Sequence, residues 1–107
     1  QYTSSAASDV YKRQEYIDAA NRNNILVIPV GLAFAEINKN FPAINLYTRD
    51  KRHPSKLGTY LAACVIFSSV YKKTPEGNSF LFGLDPNKAK IIRQVAWQVS
   101  SDFYTGK

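Results

Sequence analysis

The feature that most constrains this chain is that it offers a single convincing β-strand. Ile25-Leu26-Val27-Ile28-Pro29-Val30 is a short continuous apolar run rich in β-branched residues, the pattern of a strand buried on both faces of a parallel sheet. Pro29 puts the last residues of the run beyond the ladder, because proline has no N–H to donate. A lone strand cannot satisfy its own backbone. This reading therefore expects partner strands in sequence upstream, and a fragment that buries too little surface by itself to offset its conformational entropy.

The rest of the pattern is helical. Residues 15–24 read as the end of a helix, with Tyr16, Ile17 and Ala20 on one face and an Asn-rich stop. Gly31 opens a second helical stretch through Asn40, with Leu32, Ala35 and Ile37 on its buried side. Phe41 to Asn45 is a loop, Pro42 excluding helical geometry from its predecessor. Ser55 is placed to cap a helix from about Lys56 to Tyr71, whose apolar centre, Tyr60 to Phe67, predicts that it is largely buried. Gly77 and Asn78 mark a loop. Asp85 then caps a last helix with Pro86 in its first turn, and Ile92, Val95 or Ala96, Val99 and Phe103 recur as one core face. Helix, strand, helix, loop, helix, helix is an α/β order.

A chain of 107 residues with 45% hydrophobic content holds one domain at most. The stretch Ser4 to Gln14 matches, residue for residue, the translation of a widely used transposase sequencing adaptor. Residues 1–14 are therefore expected to carry no fold, the domain lying in 15–107. Lys and Arg outnumber Asp and Glu by 14 to 8, giving a net charge of +6. The cations fall in small groups (Arg49, Lys51, Arg52, Lys56; Lys72, Lys73; Lys88, Lys90, Arg93), which favours a solvated basic surface over a nucleic-acid groove. A small basic module binding nucleic acid or another acidic partner stands as the competing reading, although aromatics interleaved with base-facing cations are lacking. The single cysteine, Cys64, sits among Ala62, Ala63, Val65 and Ile66 as a buried small apolar residue. No apolar run reaches the ~20 residues of a membrane helix. No cluster has metal-ligand spacing and no glycine-rich phosphate loop occurs, so neither metal nor cofactor is expected. Secretion, a periplasmic location and the oligomeric state stay open.

The stretch with chemistry in it runs from Leu46 to Ala63. Asp50 and His53 are its only Asp and its only His. A carboxylate three residues before an imidazole on a loop can reach the ring's Nδ1–H, fix the tautomer and leave Nε2 to take a proton from a nucleophile. Pro54 biases His53 toward extended backbone, and the helix that follows anchors the loop. Two letters alone are weak evidence, since lone Asp and His residues on loops are more often a solvated pair.

The surroundings add to them. Asp50-x-x-His53-Pro54-Ser55 followed by Gly58-Thr59-Tyr60-Leu61-Ala62 resembles the last conserved block of the SGNH/GDSL hydrolase family, in particular a bacterial branch. Ile28-Pro29-Val30-Gly31 is similar to that family's final strand and turn. Leu84-Asp85-Pro86 with Val95-Ala96-Trp97 is similar to its terminal helix. The resemblance implies a flavodoxin-like three-layer α/β/α fold, truncated at the amino terminus, and a serine esterase or lipase acting on acyl or O-acetyl esters of small molecules or carbohydrates. It implies His53 as the general base and Asp50 as the residue that orients it. The family's Ser, Gly and Asn blocks have no counterpart here: no Gly-Asp-Ser occurs, and Ser68, Ser69, Ser100 and Ser101 lie on helices in settings that read as structural. The chain alone is thus expected to be inactive. A non-catalytic domain that keeps the block as structure is a further alternative. Lys51 and Arg52, between Asp50 and His53, depart from the family's small or acidic residues and place cations that disfavour an imidazolium, or that face an anionic or sugar-bearing substrate. Tyr47, Tyr60 and Trp97 suit carbohydrate stacking, but at helical spacing they read more readily as core.

Overall fold

The computed structural model describes residues 6–23, 26–79 and 83–106. Four α-helices follow one another: α1 (Ala6–Asn23), α2 (Val30–Asn40), α3 (Lys56–Tyr71) and α4 (Pro86–Thr105), with a single 3-10 turn at Pro75–Gly77. α3 and α4 begin where their capping residues place them. The Ser55 hydroxyl accepts from the Gly58 N–H at the start of α3, and the Asp85 carboxylate accepts from the Lys88 N–H at the start of α4. Lys72 at φ 56° and Gly106 at φ 80° close α3 and α4 in the left-handed conformation that stops a helix.

The expected α/β architecture is overturned. Among the described residues no strand forms, and the molecule is helical, with one isolated antiparallel bridge between Tyr47 and Pro54. Ile25 lies outside the described residues, and Leu26 to Pro29 run without a ladder before Val30 enters α2. The reason is in the backbone: with no neighbouring strand, these peptide groups find other partners. The Tyr104 hydroxyl donates to the Val27 carbonyl, the Val30 N–H donates to the Ile28 carbonyl at 2.9 Å, and the Ala33 N–H donates to the Pro29 carbonyl at 3.3 Å. The flavodoxin-like three-layer fold is therefore not the fold of this chain.

The core lies where α3 crosses α4, with α2 covering one side. Ile37 from α2, Leu61 and Val65 from α3, Ile92 and Ala96 from α4, and Leu46 from the loop before α3 are all sealed from solvent. Cys64 is buried among them as anticipated. On α2 the buried residues are Ala33 and Ile37, while Leu32 and Ala35 stay half-buried. The expectation that α3 is largely buried needs correction. Ile66, Phe67, Val70 and Tyr71 on its far side are 38–63% exposed, because α2 and α4 cover only one side of an element that is apolar nearly all round.

The other departure is at the amino end. Residues 6–14, expected to carry no fold, continue the helix that ends at Asn23. α1 stands apart from the packing of α2, α3 and α4 on one another. Its Arg13 guanidinium lies 4.9 Å above the Phe103 ring and donates to the Phe103 carbonyl at 3.5 Å, which is a local extension of helix and not a share of the core.

Candidate active site

The loop between α2 and α3 is held by short-range hydrogen bonds at both ends. At its neck the Ser55 N–H donates to the Leu46 carbonyl and the Thr48 N–H donates to the His53 carbonyl, each at 2.8 Å. These two bonds flank the Tyr47–Pro54 bridge and make the segment a narrow hairpin. Its tip is a turn closed by the Lys51 N–H on the Thr48 carbonyl at 3.0 Å, with Lys51 at φ 58°. Below the neck, the Ser55 hydroxyl donates to the Asn45 carbonyl at 2.8 Å while accepting from Gly58, so one side chain ties the loop to the first turn of α3. Gly58 makes this possible: a Cβ there would run into the Leu46 carbonyl oxygen.

Inside that frame Asp50 is fixed by division of labour between its two oxygens. Oδ1 accepts from the Thr48 hydroxyl at 2.6 Å, the Arg52 N–H at 2.9 Å and the His53 N–H at 3.2 Å. Oδ2 is left to face His53 Nδ1 at 2.7 Å. The Thr48 hydroxyl, then the Arg52 N–H, then the His53 side chain and N–H hold the Asp50 carboxyl well below the usual carboxylate range. An ionised carboxylate can only accept. The proton between the two residues therefore sits on His53 Nδ1, and in the neutral ring Nε2 is the acceptor. The His53 side chain is 75% exposed, so Nε2 is open to whatever approaches the loop.

The structure thus brings together the two residues singled out from sequence, Asp50 and His53. Thr48 and Ser55 complete the arrangement. Ser55 had been anticipated only as a cap, and Thr48 not at all. The signal for Thr48 is its place two residues before an aspartate, where a hydroxyl closes a small turn onto the carboxylate. Lys51 and Arg52 are exposed and form no ion pair among the described residues. Three of the four serines on α3 and α4 stand away from this chemistry. Ser68, Ser69 and Ser100 are at most 1% exposed, and the Ser68 hydroxyl is spent on the Cys64 carbonyl at 2.8 Å. A nucleophile sealed in the core cannot meet a histidine at the surface.

The aromatics that read more readily as core than as carbohydrate-stacking surface pack accordingly. Tyr47 packs edge-on against Phe34 with ring centroids 5.7 Å apart, and the buried Tyr60 accepts from Arg93 through its hydroxyl at 3.0 Å. Trp97 is half-buried on α4. Burial pushes the Cys64 thiol up to about 11, the opposite of what a nucleophilic cysteine needs. Among the described residues, no helix is long and apolar enough to cross a membrane. No protein-family model matches the sequence, and neither a curated protein nor a solved structure matches it.

Proposed function

We propose that Asp50 and His53 are the orienting acid and the general base of a Ser-His-Asp triad, and that this chain serves ester hydrolysis of the SGNH/GDSL type by supplying them. The observation that carries the reading is the 2.7 Å contact from Asp50 Oδ2 to His53 Nδ1, made with Nε2 exposed and Oδ1 locked by three other donors. That is the arrangement a base needs: its tautomer set from behind and its free nitrogen forward. The helical fold lends the reading nothing, so it rests on the loop and on the Asp-x-x-His-Pro-Ser pattern.

In the proposed reaction a serine hydroxyl attacks the carbonyl of a small-molecule or carbohydrate ester. His53 Nε2 takes the hydroxyl proton as the Oγ–C bond forms. The imidazolium, stabilised by Asp50, then gives that proton to the departing alkoxide, and a water repeats the cycle to free the acid. The serine and the oxyanion donors are not among the residues that resemble the family.

The test is an enzyme in which a segment bearing the nucleophilic serine and the oxyanion donors is supplied ahead of residue 15. It is expected to hydrolyse p-nitrophenyl acetate, with His53→Ala lowering kcat by about 10⁴ or more and leaving KM nearly unchanged. Near-parental kcat in His53→Ala would reduce the block to a structural loop.

A further inference from the structure

The tip of the dyad loop carries a second feature that the base-and-orienter reading does not use. On the side facing the end of α2, Asn38, Asn45, Tyr47, Thr48, Arg49 and Lys51 line an open depression of about 540 Å³. Its lining mixes apolar and polar surface, and its charged side chains are both cations. Arg49 and Lys51 are exposed, and neither pairs with a carboxylate among the described residues. The carboxylate on the same turn, Asp50, accepts from Thr48, Arg52 and His53 and not from the side chain of Arg49 or Lys51. The Thr48 hydroxyl turns its proton to Asp50, and Asn45 turns its Oδ1 to the Tyr47 N–H at 3.1 Å. What faces the depression is therefore two cations without a salt-bridge partner among the described residues, beside two amide side chains.

The turn itself fixes the spacing of those cations. The Lys51 N–H on the Thr48 carbonyl and the left-handed backbone of Lys51 hold Arg49 and Lys51 on the turn that carries Asp50, two residues short of His53. An arginine fork and an ammonium at one lip match a compact oxyanion, a carboxylate or a phosphate, better than a neutral sugar.

We infer that this depression binds an oxyanion, and that the ester presented to His53 carries a carboxylate or phosphate group seated on Arg49 and Lys51. The second half rests on the proposed role of the dyad; the first half stands without it. The oxyanion anchors the substrate on the cations, and the loop brings the scissile carbonyl to the His53 side of the same turn. Screening by salt weakens such a site, because both cations are exposed.

Titration of the full chain at low ionic strength, followed by backbone amide shifts, tests the binding. One arm uses inorganic phosphate and the other acetate, so the two oxyanion sources are told apart. Saturable shifts at residues 47–52 in either arm are expected, with the apparent Kd raised at least about fivefold by 0.3 M NaCl. Arg49→Gln and Lys51→Gln are each expected to raise Kd about tenfold, with far-ultraviolet circular dichroism showing the helices intact. Lys72→Gln should leave it unchanged. His53→Ala should also leave it unchanged, so a dyad that proves inert and a depression that proves empty give different results. Absence of saturable shifts, or shifts indifferent to Arg49→Gln and Lys51→Gln, would overturn the inference. So would a duplex DNA oligonucleotide binding the same residues a hundredfold more tightly than phosphate, which would make them a contact to nucleic-acid backbone.

Discussion

Two irregular stretches flank α2, and they reach order by opposite routes. From Asn45 to Gly58 nearly every bond that shapes the backbone joins residues a few positions apart: Thr48 to Asp50, Asp50 to His53, Lys51 to Thr48, Ser55 to Gly58. From Leu26 to Pro29 the decisive bond comes from Tyr104, 77 residues away. Asp50 and His53 therefore meet for reasons written within one short peptide. The apolar run depends on partners that the described residues do not provide as strands, so it takes what the carboxyl-terminal helix offers. A loop held by its own side chains needs no neighbouring element to be ordered; a strand does.

The comparison can be broken first at Asp50. With a serine-bearing segment supplied, the proposed role of Asp50 predicts that Asp50→Asn lowers kcat by about 10²–10⁴, less than His53→Ala, since the amide can still touch the ring but does not stabilise an imidazolium. The same carboxylate sets a pH signature in the present chain. Its folded value is depressed, so its contribution to loop order is complete above the unfolded value of about 3.9 and is lost as pH falls through the lower folded value. The Arg52 and His53 amide shifts should stay native-like at pH 3.9 and move only in stronger acid. A midpoint near 3.9 would show that Thr48 and the two backbone N–H groups do not hold the carboxylate.

Gly58→Ala is next in size. The added methyl meets the Leu46 carbonyl, which is backbone and has little room to yield, so a loss of about 2–3 kcal/mol in urea unfolding is expected, with the Ser55 cap disturbed as well. An unchanged midpoint would mean that the loop and α3 are joined more loosely than their bonds indicate.

Tyr104→Phe addresses the other region. It removes the donor to the Val27 carbonyl and should cost about 1 kcal/mol, a drop in Tm of about 5 °C. The effect should concentrate in the exchange rates of residues 27–33 and leave the dyad loop untouched. The smallest change should come from deleting residues 1–14. α1 stands outside the packing of the other helices, so the loss is expected to stay within about 0.5 kcal/mol. A large fall in thermal stability would show that the Arg13 contact with Phe103 supports the core.

These contrasts also explain what could be read in advance. α3 and α4 were legible to the residue at their starts because Ser55 and Asp85 cap them through their own side chains, a signal contained in four consecutive residues. The Asp50–His53 pair was legible for the same reason. The state of Leu26 to Val30 was not, because β structure is a statement about a neighbour, and periodicity within one segment says nothing of whether the neighbour exists. The exposed side of α3 was missed by the same logic. Ile66, Phe67, Val70 and Tyr71 mark a helix that is apolar all round, and how much of that surface is covered depends on the number of elements beside it. Gly58 was legible as part of a pattern, but its tight approach to Leu46 belongs to the folded hairpin alone.

Cys64 turns the core into its own clock. It is the sole thiol in 107 residues, 5% exposed at the meeting of α3 with α4, and its pKa of about 11 leaves only about one molecule in a thousand as thiolate at pH 8, against about one in four for an unfolded cysteine. Alkylation must then wait for the helices to part. A pulse of iodoacetamide, quenched at intervals and read by mass spectrometry, reports how often this core opens, without a label to attach or a probe to engineer.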